Sequence, residues 1–285
     1  MKLHQETAEL FIPDASPVPE ALARTTHLAI SAHQDDVEIM AAEPIFACFQ
    51  REDRWFAAVV MGDGRGSPRD DLYRDYSDDQ MRLVRFKEQR KAAVVGEYAG
   101  LAQLDYPTST IKDARERSPT DDLLQVLRAT HPESVYTHNL ADKHDTHVAT
   151  ALRVIEAIRQ MEPAERPQRL YGCEVWRSLD WLLDEDKVPF DLSLHENLQS
   201  ALLGIYDSQI CGGKRYDLAT MGRRRANATY FESHGVDTSR GLAFGMDLTP
   251  LIDGKATSAN DLIQAHIDRF AKDVAARLKR VGGTR

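Results

Sequence analysis

Two short apolar runs, residues 27–32 and 134–137, each give way to a cluster of His and Asp, and this pairing constrains the fold more than any other feature. The first run ends in Ala32-His33-Gln34-Asp35-Asp36. The second is followed, a few residues on, by Asp142-Lys143-His144-Asp145-Thr146-His147. Apolar runs this short, bounded by polar loops, read as buried strands. Residues 39–49 then resume with helical character, so the first unit is strand, polar loop, helix.

The alternation repeats along the chain. Residues 55–61 form a second expected strand, a Gly-rich loop spans 62–68, and a long helix runs over 77–98. Ser77-Asp78-Asp79-Gln80 supplies its N-terminal cap and Gly100 its stop. A third strand is expected over 101–106, a helix over 120–130, a fourth strand over 134–137 and a helix over 145–161. Val148, Leu152, Ile155 and Ile158 give that last helix an apolar face. Strand, helix, strand, helix implies an α/β, Rossmann-like fold with a mostly parallel twisted sheet and helices on both faces. In such sheets ligands bind at the carboxyl ends of the strands, where both His/Asp clusters fall.

One domain over 1–285 is the expected organisation. Residues 1–24, with three prolines, form an N-terminal arm; 25–165 hold the core with both clusters; 166–285 complete the domain. In that last part a strand is expected over 170–176, helices over 195–206 and 214–231, and an amphipathic closing helix over 259–279. A net charge of -9 and a pI near 5.6 speak against a nucleic-acid partner, which needs clustered Lys and Arg. The basic runs at 82–91 and 222–225 read as solvated surface. Three widely spaced cysteines, Cys48, Cys173 and Cys211, fit neither a disulfide framework nor a structural zinc cluster. Residues 1–24 lack a signal peptide's apolar stretch and no run reaches the ~18 residues of a membrane span. The expectation is a cytoplasmic protein, with a homo-oligomer compatible with the sequence.

His33 and Asp36 lie three apart where the first strand opens into a loop, so both can face one cation. His144 and His147 share that spacing at a helix start, which puts them on one helix face. Two His and one Asp make a three-ligand site with an open position, the arrangement of catalytic zinc. Either cluster alone is commonplace, as a helix cap or an incidental pair. Their arrival at the same rim of one sheet favours a metal site.

Ala32-His33-Gln34-Asp35-Asp36 resembles the Ala-His-Pro-Asp-Asp motif of the PIG-L/LmbE-like deacetylases, zinc-dependent enzymes acting on N-acetylglucosamine derivatives. Residues 142–147 resemble that family's His-Pro-Asp-His motif, and Arg85-Phe86-Lys87-Glu88 its Arg-x-x-Glu helix. The likeness covers about the first 150 residues. It implies that His33, Asp36 and His147 bind the metal, that Asp35 is the general base, and that His144 assists as acid or electrostatic group. Gln34, Val37 and Thr146 depart from the family pattern. Thr146 removes a carboxylate that would orient His144, a part open to Asp142 or Asp145.

Amide hydrolysis needs an activated water, a stabilised oxyanion and a proton for the departing amine. Zinc, or Fe²⁺ on the same ligand types, supplies the Lewis acid. In the Gly-rich loop, Asp63 is a candidate for sugar hydroxyls and Arg69 or Arg85 for an anionic aglycone. The competing reading is a plain surface turn, with Arg85 and Glu88 a helix ion pair. That loop lacks a dinucleotide fingerprint. His138, ending the fourth strand, is the strongest additional histidine; His131, His195 and His234 read as structural. Trp176 is either pocket wall or core. The expected activity is zinc-dependent N-deacetylation of a small-molecule N-acyl sugar or sugar conjugate. The rivals are another metal-dependent hydrolase, acting on a different amide or a phosphoester, and a noncatalytic, metal-containing carbohydrate-binding protein.

Overall fold

The computed structural model describes residues 1–254 and 258–282. Its strands are β1 (Glu9–Phe11), β2 (His27–Ser31), β3 (Phe56–Gly62), β4 (Gly100–Tyr106), β5 (Ser134–His138), β6 (Arg169–Cys173), β7 (Lys187–Asp191) and β8 (Leu242–Asp247). They form one sheet in the order β1-β4-β3-β2-β5-β6-β8-β7. The central five strands, β4 to β6 in that order, are parallel. β1, β8 and β7 add antiparallel edges. All seven residues of β3 are buried, as expected of a strand covered on both faces.

From β2 the chain winds outward through β3 and β4, then returns to lay β5 on the other side of β2. The space between β2 and β5 is therefore the topological switch point, where a crevice opens at the carboxyl ends of an α/β sheet. Both His/Asp clusters leave the sheet there.

The helices are α1 (Val18–Ala23), α2 (Asp36–Met40), α3 (Ala42–Cys48), α4 (Asp78–Val95), α5 (Thr108–Lys112), α6 (Ser118–Thr130), α7 (Asp145–Arg159), α8 (Glu196–Gly204), α9 (Asp207–Ile210), α10 (Tyr216–Tyr230) and α11 (Ala259–Gly282). Ser77 and Gln80 close a reciprocal capping box on α4: the Gln80 N–H donates to Ser77 Oγ at 3.2 Å and the Ser77 N–H to Gln80 Oε1 at 2.8 Å. The helix stops at Gly96, not Gly100, which instead opens β4. A side chain on Gly100 would press on Ile12 and Leu22 of the N-terminal segment.

Two other expectations change. The arm over 1–24 is partly structured, carrying edge strand β1 and helix α1. On α7, Leu152 is 45% exposed, and the buried stripe is His147, Ala151, Val154, Ile155 and Ile158. Those positions keep the 3.6-residue period once the polar His147 is counted as part of the inward face. The helix start thereby aims at the crevice while its later turns pack on the sheet. α11 docks Ala259, Leu262 and Ile263 against the core but buries none of its residues fully, so it lies on the surface rather than closing the domain. Among the described residues no helix is long and apolar enough to cross a membrane.

Candidate metal centre and active site

Beyond β2 the chain turns so that Asp36, the first residue of α2, folds back on His33. The His33 N–H donates to Asp36 Oδ2 at 2.8 Å, and His33 Nδ1 lies 3.2 Å from the same oxygen. His147, in the first turn of α7, brings Nε2 to 3.2 Å from His33 Nδ1 and 3.4 Å from Asp36 Oδ2. Three lone-pair atoms thus form a nearly equilateral triangle. With bonds of about 2.0–2.1 Å to N and O, neighbouring ligands of a tetrahedral zinc ion stand roughly 3.3–3.4 Å apart. The triangle has the size of one face of such a tetrahedron, so the donor set fits a divalent metal. His144 joins His33 and His147 in one group within 4.8 Å, and Asp36, His138 and His147 form an overlapping group.

His138 stands behind the triangle. Its Nε2 accepts the Ala32 N–H at 2.9 Å, which occupies the lone pair it would need as a ligand, and its ring stacks on His147 at 3.8 Å. Asp142 backs His147 from the other side, with Oδ2 3.3 Å from His147 Nδ1. Burial opposes ionisation of Asp36, but the imidazoles of His147, His138 and His33 hold its carboxyl far below the usual range. Burial likewise opposes a charge on His147, yet Asp36 and Asp142 raise its basicity above an ordinary histidine. His144 is shifted the other way, lowered by burial and by its neighbours His147 and His33. Among the described residues its Nδ1 has no hydrogen-bond partner. Neither Asp142 nor Asp145 replaces the carboxylate missing at Thr146. Asp142 accepts the backbone N–H of His144 at 3.1 Å and reserves its other oxygen for His147 and the Trp176 N–H, while Asp145 is exposed.

Asp35 caps α2 with φ at +88°, a strained backbone for a residue with a side chain. Its Oδ2 accepts from Arg85 Nη2 at 2.8 Å. Burial, against the pull of Arg85, raises the Asp35 carboxyl to about 7, helped by the neighbouring charge of Asp36. Arg85 is 1% exposed; it also donates to the Gln34 carbonyl and to Glu88 Oε2 at 3.1 Å. Glu88 in turn accepts from Ser208 N–H and Oγ at 2.8 and 2.7 Å. The Asp35 N–H donates to Gln89 Oε1, which also takes the Tyr206 hydroxyl. Helices α4 and α9 thus grip the strained turn from behind.

A cavity of about 660 Å³ opens over this floor. His33, Asp35, Asp36 and His144 line it, together with Asp63, Trp176, Lys214, Tyr216 and Arg223. Of the residues expected to meet substrate, Asp63 lies on the wall, with its carboxylate partly engaged by Arg65 at 3.1 and 3.3 Å. Arg69 does not line the cavity: it pairs with Asp78 and donates to the Arg65 carbonyl at 2.6 Å. Arg85 reaches the floor but spends its guanidinium on Asp35, Glu88 and Gln34, and so positions Asp35 rather than an aglycone. Trp176 belongs to the wall, its ring stacked 6.3 Å from His144.

Residues 28–158 match the family model described as PIG-L: GlcNAc-PI de-N-acetylase. The chain carries a PIG-L domain. Among solved structures, it is similar to an N,N'-diacetylchitobiose deacetylase from Pyrococcus horikoshii, at 17% identity and TM-score 0.58 over 77% of this chain and 83% of that one. A 4-carboxy-2-hydroxymuconate hydratase from Pseudomonas putida gives 17% identity and TM-score 0.58 over 79% and 96%. The zinc-inhibited form of a teicoplanin deacetylase gives 15% and 0.52 over 78% and 98%. No curated protein matches the sequence. At these identities the structural likeness establishes the fold alone, one shared by deacetylases and a hydratase.

The PIG-L match contains His33, Asp35, Asp36 and His144 of the cavity floor and the buried His147 beneath it. It leaves out Trp176, Lys214, Tyr216 and Arg223, which come from the segment after β6 and from α10 with the turn before it. In that wall the sequence points to Trp176, presents Arg223 as part of a solvated basic run, which the structure corrects, and carries no signal for Lys214 or Tyr216. Nothing local distinguishes Lys214 from any exposed lysine; only the return of α10 over the crevice brings it to the site.

Proposed function

We propose that this PIG-L domain is a metal-dependent amidohydrolase that removes the acetyl group from an N-acetylglucosamine-type sugar conjugate. The observation that carries the reading is the triangle of His33 Nδ1, Asp36 Oδ2 and His147 Nε2, sized for a tetrahedral divalent ion and open to a cavity beside Asp35. These three side chains would hold the ion, Zn²⁺ or, on ligand type, Fe²⁺. When bound, the ion supplies Lewis acidity to the water and the amide carbonyl.

The chain's own groups do the rest. Asp35, with a carboxyl near neutrality, accepts the proton of the attacking water and returns it to the amine as the C–N bond breaks. Arg85 fixes the Asp35 carboxylate and keeps it from drifting to a wholly protonated state. His144, ring edge against His33 at 4.9 Å, presents an imidazole N–H to the carbonyl oxygen as negative charge develops there. Asp142, 3.3 Å from His147 Nδ1, favours the tautomer that leaves the Nε2 lone pair free, so that His147 would be available to a metal. Asp63 is placed to accept from sugar hydroxyls.

A second reading, addition of water to a carbon–carbon double bond, draws support from the hydratase of the same fold. The two separate cleanly by product. Metal-loaded protein incubated with a panel of N-acetylated sugars and glycosides should release acetate and a primary amine in equal amounts. Absence of both products across the panel, with metal bound, contradicts the deacetylase reading.

A further inference from the structure

In a chain of net charge -9, the outer wall of the cavity is positive. Lys143 and Lys214 place Nζ 5.8 and 5.1 Å from the centre of the Trp176 ring, and Arg223 lines the same wall. Among the described residues no ion pair joins any of the three to a carboxylate. Arg223 donates to the Val175 carbonyl at 2.5 Å. Glu174, a buried carboxylate within electrostatic reach of Arg223, spends its hydrogen bonds on the N–H groups of Leu179 and Phe244 and on Asn227, and Asp142, next to Lys143, spends its own on His147 and on the backbone N–H groups of His144 and Trp176. The acidic groups across the cavity are also engaged: Asp63 by Arg65, Asp35 by Arg85, Asp36 by the imidazoles.

Lys143 and Lys214, both beside the Trp176 ring and neither in an ion pair among the described residues, repel one another and gain from an anion, while Arg223 on the same wall already feels the buried Glu174. Contact with the indole holds the two ammonium groups at the wall, since a cation within about 6 Å of an aromatic centre is attracted to it. Arg69 and Arg85, the arginines expected to meet an anionic aglycone, are both committed elsewhere. Lys143, Lys214 and Arg223 are the cations that the fold leaves facing the cavity.

We infer that the wall formed by Lys143, Lys214, Arg223 and Trp176 binds an anionic substituent, a carboxylate or phosphate, on the part of the substrate remote from the amide. The inference rests on reading this cavity as the substrate site. It assigns specificity to the chain's C-terminal part together with Lys143, while the floor of the PIG-L domain carries the chemistry. The indole face stacks against an apolar or ring portion of the aglycone, and the cations beside it meet the charge.

The test uses zinc-reconstituted full-length protein and two glycosides of N-acetylglucosamine that differ in charge alone, with 4-nitrophenyl and 4-carboxyphenyl aglycones. Binding is measured by calorimetry and acetate release on the same samples. The carboxylate ligand is expected to bind about 5- to 10-fold more tightly at low salt, with the preference shrinking as salt rises. In Lys143→Gln/Lys214→Gln protein the ratio of the two affinities should fall towards one. Equal affinities in the parent protein overturn the inference, as does failure of both ligands to bind. An undiminished preference in protein that also carries Arg223→Gln overturns it as well, because the anion is then held outside this wall. Charge preference without acetate release keeps the anionic wall and removes the deacetylase reading. Release from both ligands without preference does the reverse.

Discussion

Arg85 Nη2 stands 2.8 Å from Asp35 Oδ2, with both side chains nearly closed to solvent. The pair couples a helix over 78–95 to the strained turn that ends β2, and it places a carboxylate beside the proposed metal ligands. Loss of the guanidinium leaves Asp35 and Glu88 buried without their cation, a change that typically costs about 3–5 kcal/mol. Arg85→Met is therefore expected to lower the urea midpoint markedly and to reduce kcat/KM on any accepted substrate by roughly 100-fold or more, since a misplaced base forfeits most of its contribution. Arg85→Lys, restoring charge without the fork, should recover stability more than turnover. Equilibrium unfolding and acetate release on the two variants check this.

Arg69 provides the contrast. Its guanidinium is held by Asp78 and the Arg65 carbonyl outside the cavity. Arg69→Ala should leave KM and kcat within about twofold of the parent and stability within roughly 1 kcal/mol, as for other partly exposed ion pairs. A steady-state comparison on one substrate decides it; a KM raised tenfold would restore Arg69 as a substrate contact.

Asp142 acts through His147. Removing its charge in Asp142→Asn weakens the hold on the His147 tautomer, and loss of such partners commonly costs 10–100-fold in metal affinity. Zinc affinity measured by competition with a chromogenic chelator should fall within about that range, whereas His147→Ala should abolish stoichiometric binding. Unchanged affinity in the asparagine variant would leave Asp142 as a partner of the Trp176 and His144 N–H groups alone.

Gly64 adopts φ of +72°, and a Cβ there would come within 2.8 Å of Gln34 Oε1 and 2.9 Å of Arg85 Cβ. Gly64→Ala combines backbone strain with pressure on the Arg85 stem, for a loss of about 1–3 kcal/mol. Gly66, with nothing within 4 Å of a built Cβ, should accept alanine with little change. Thermal melts of the two variants compare them directly.

The chemistry of the floor was legible because it is local. His33 with Asp36, and His144 with His147, each sit three residues apart at the end of a strand or the start of a helix, where spacing alone orients side chains. The α/β alternation then brought the two ends to one rim. What spacing cannot express is depth. Arg85 and Arg69 look alike as surface cations in sequence, yet one is sealed beneath the turn by Glu88 and Ser208 and the other is tied to Asp78. The orientation of α7 departs from expectation for a related reason: the apolar positions predict a stripe from Val148, whereas the inward face includes the polar His147. Lys214, Tyr216 and Arg223 reach the cavity by long-range return of the chain, which leaves no local pattern to read.

The most direct test of a metal-dependent centre is acetate release by chelator-stripped protein before and after zinc is added back, with metal counted on the same samples. The account predicts a stripped protein with negligible turnover, recovery at about one ion per chain as expected of a single three-ligand site, and no recovery in His147→Ala. Undiminished acetate release from the stripped protein would contradict it.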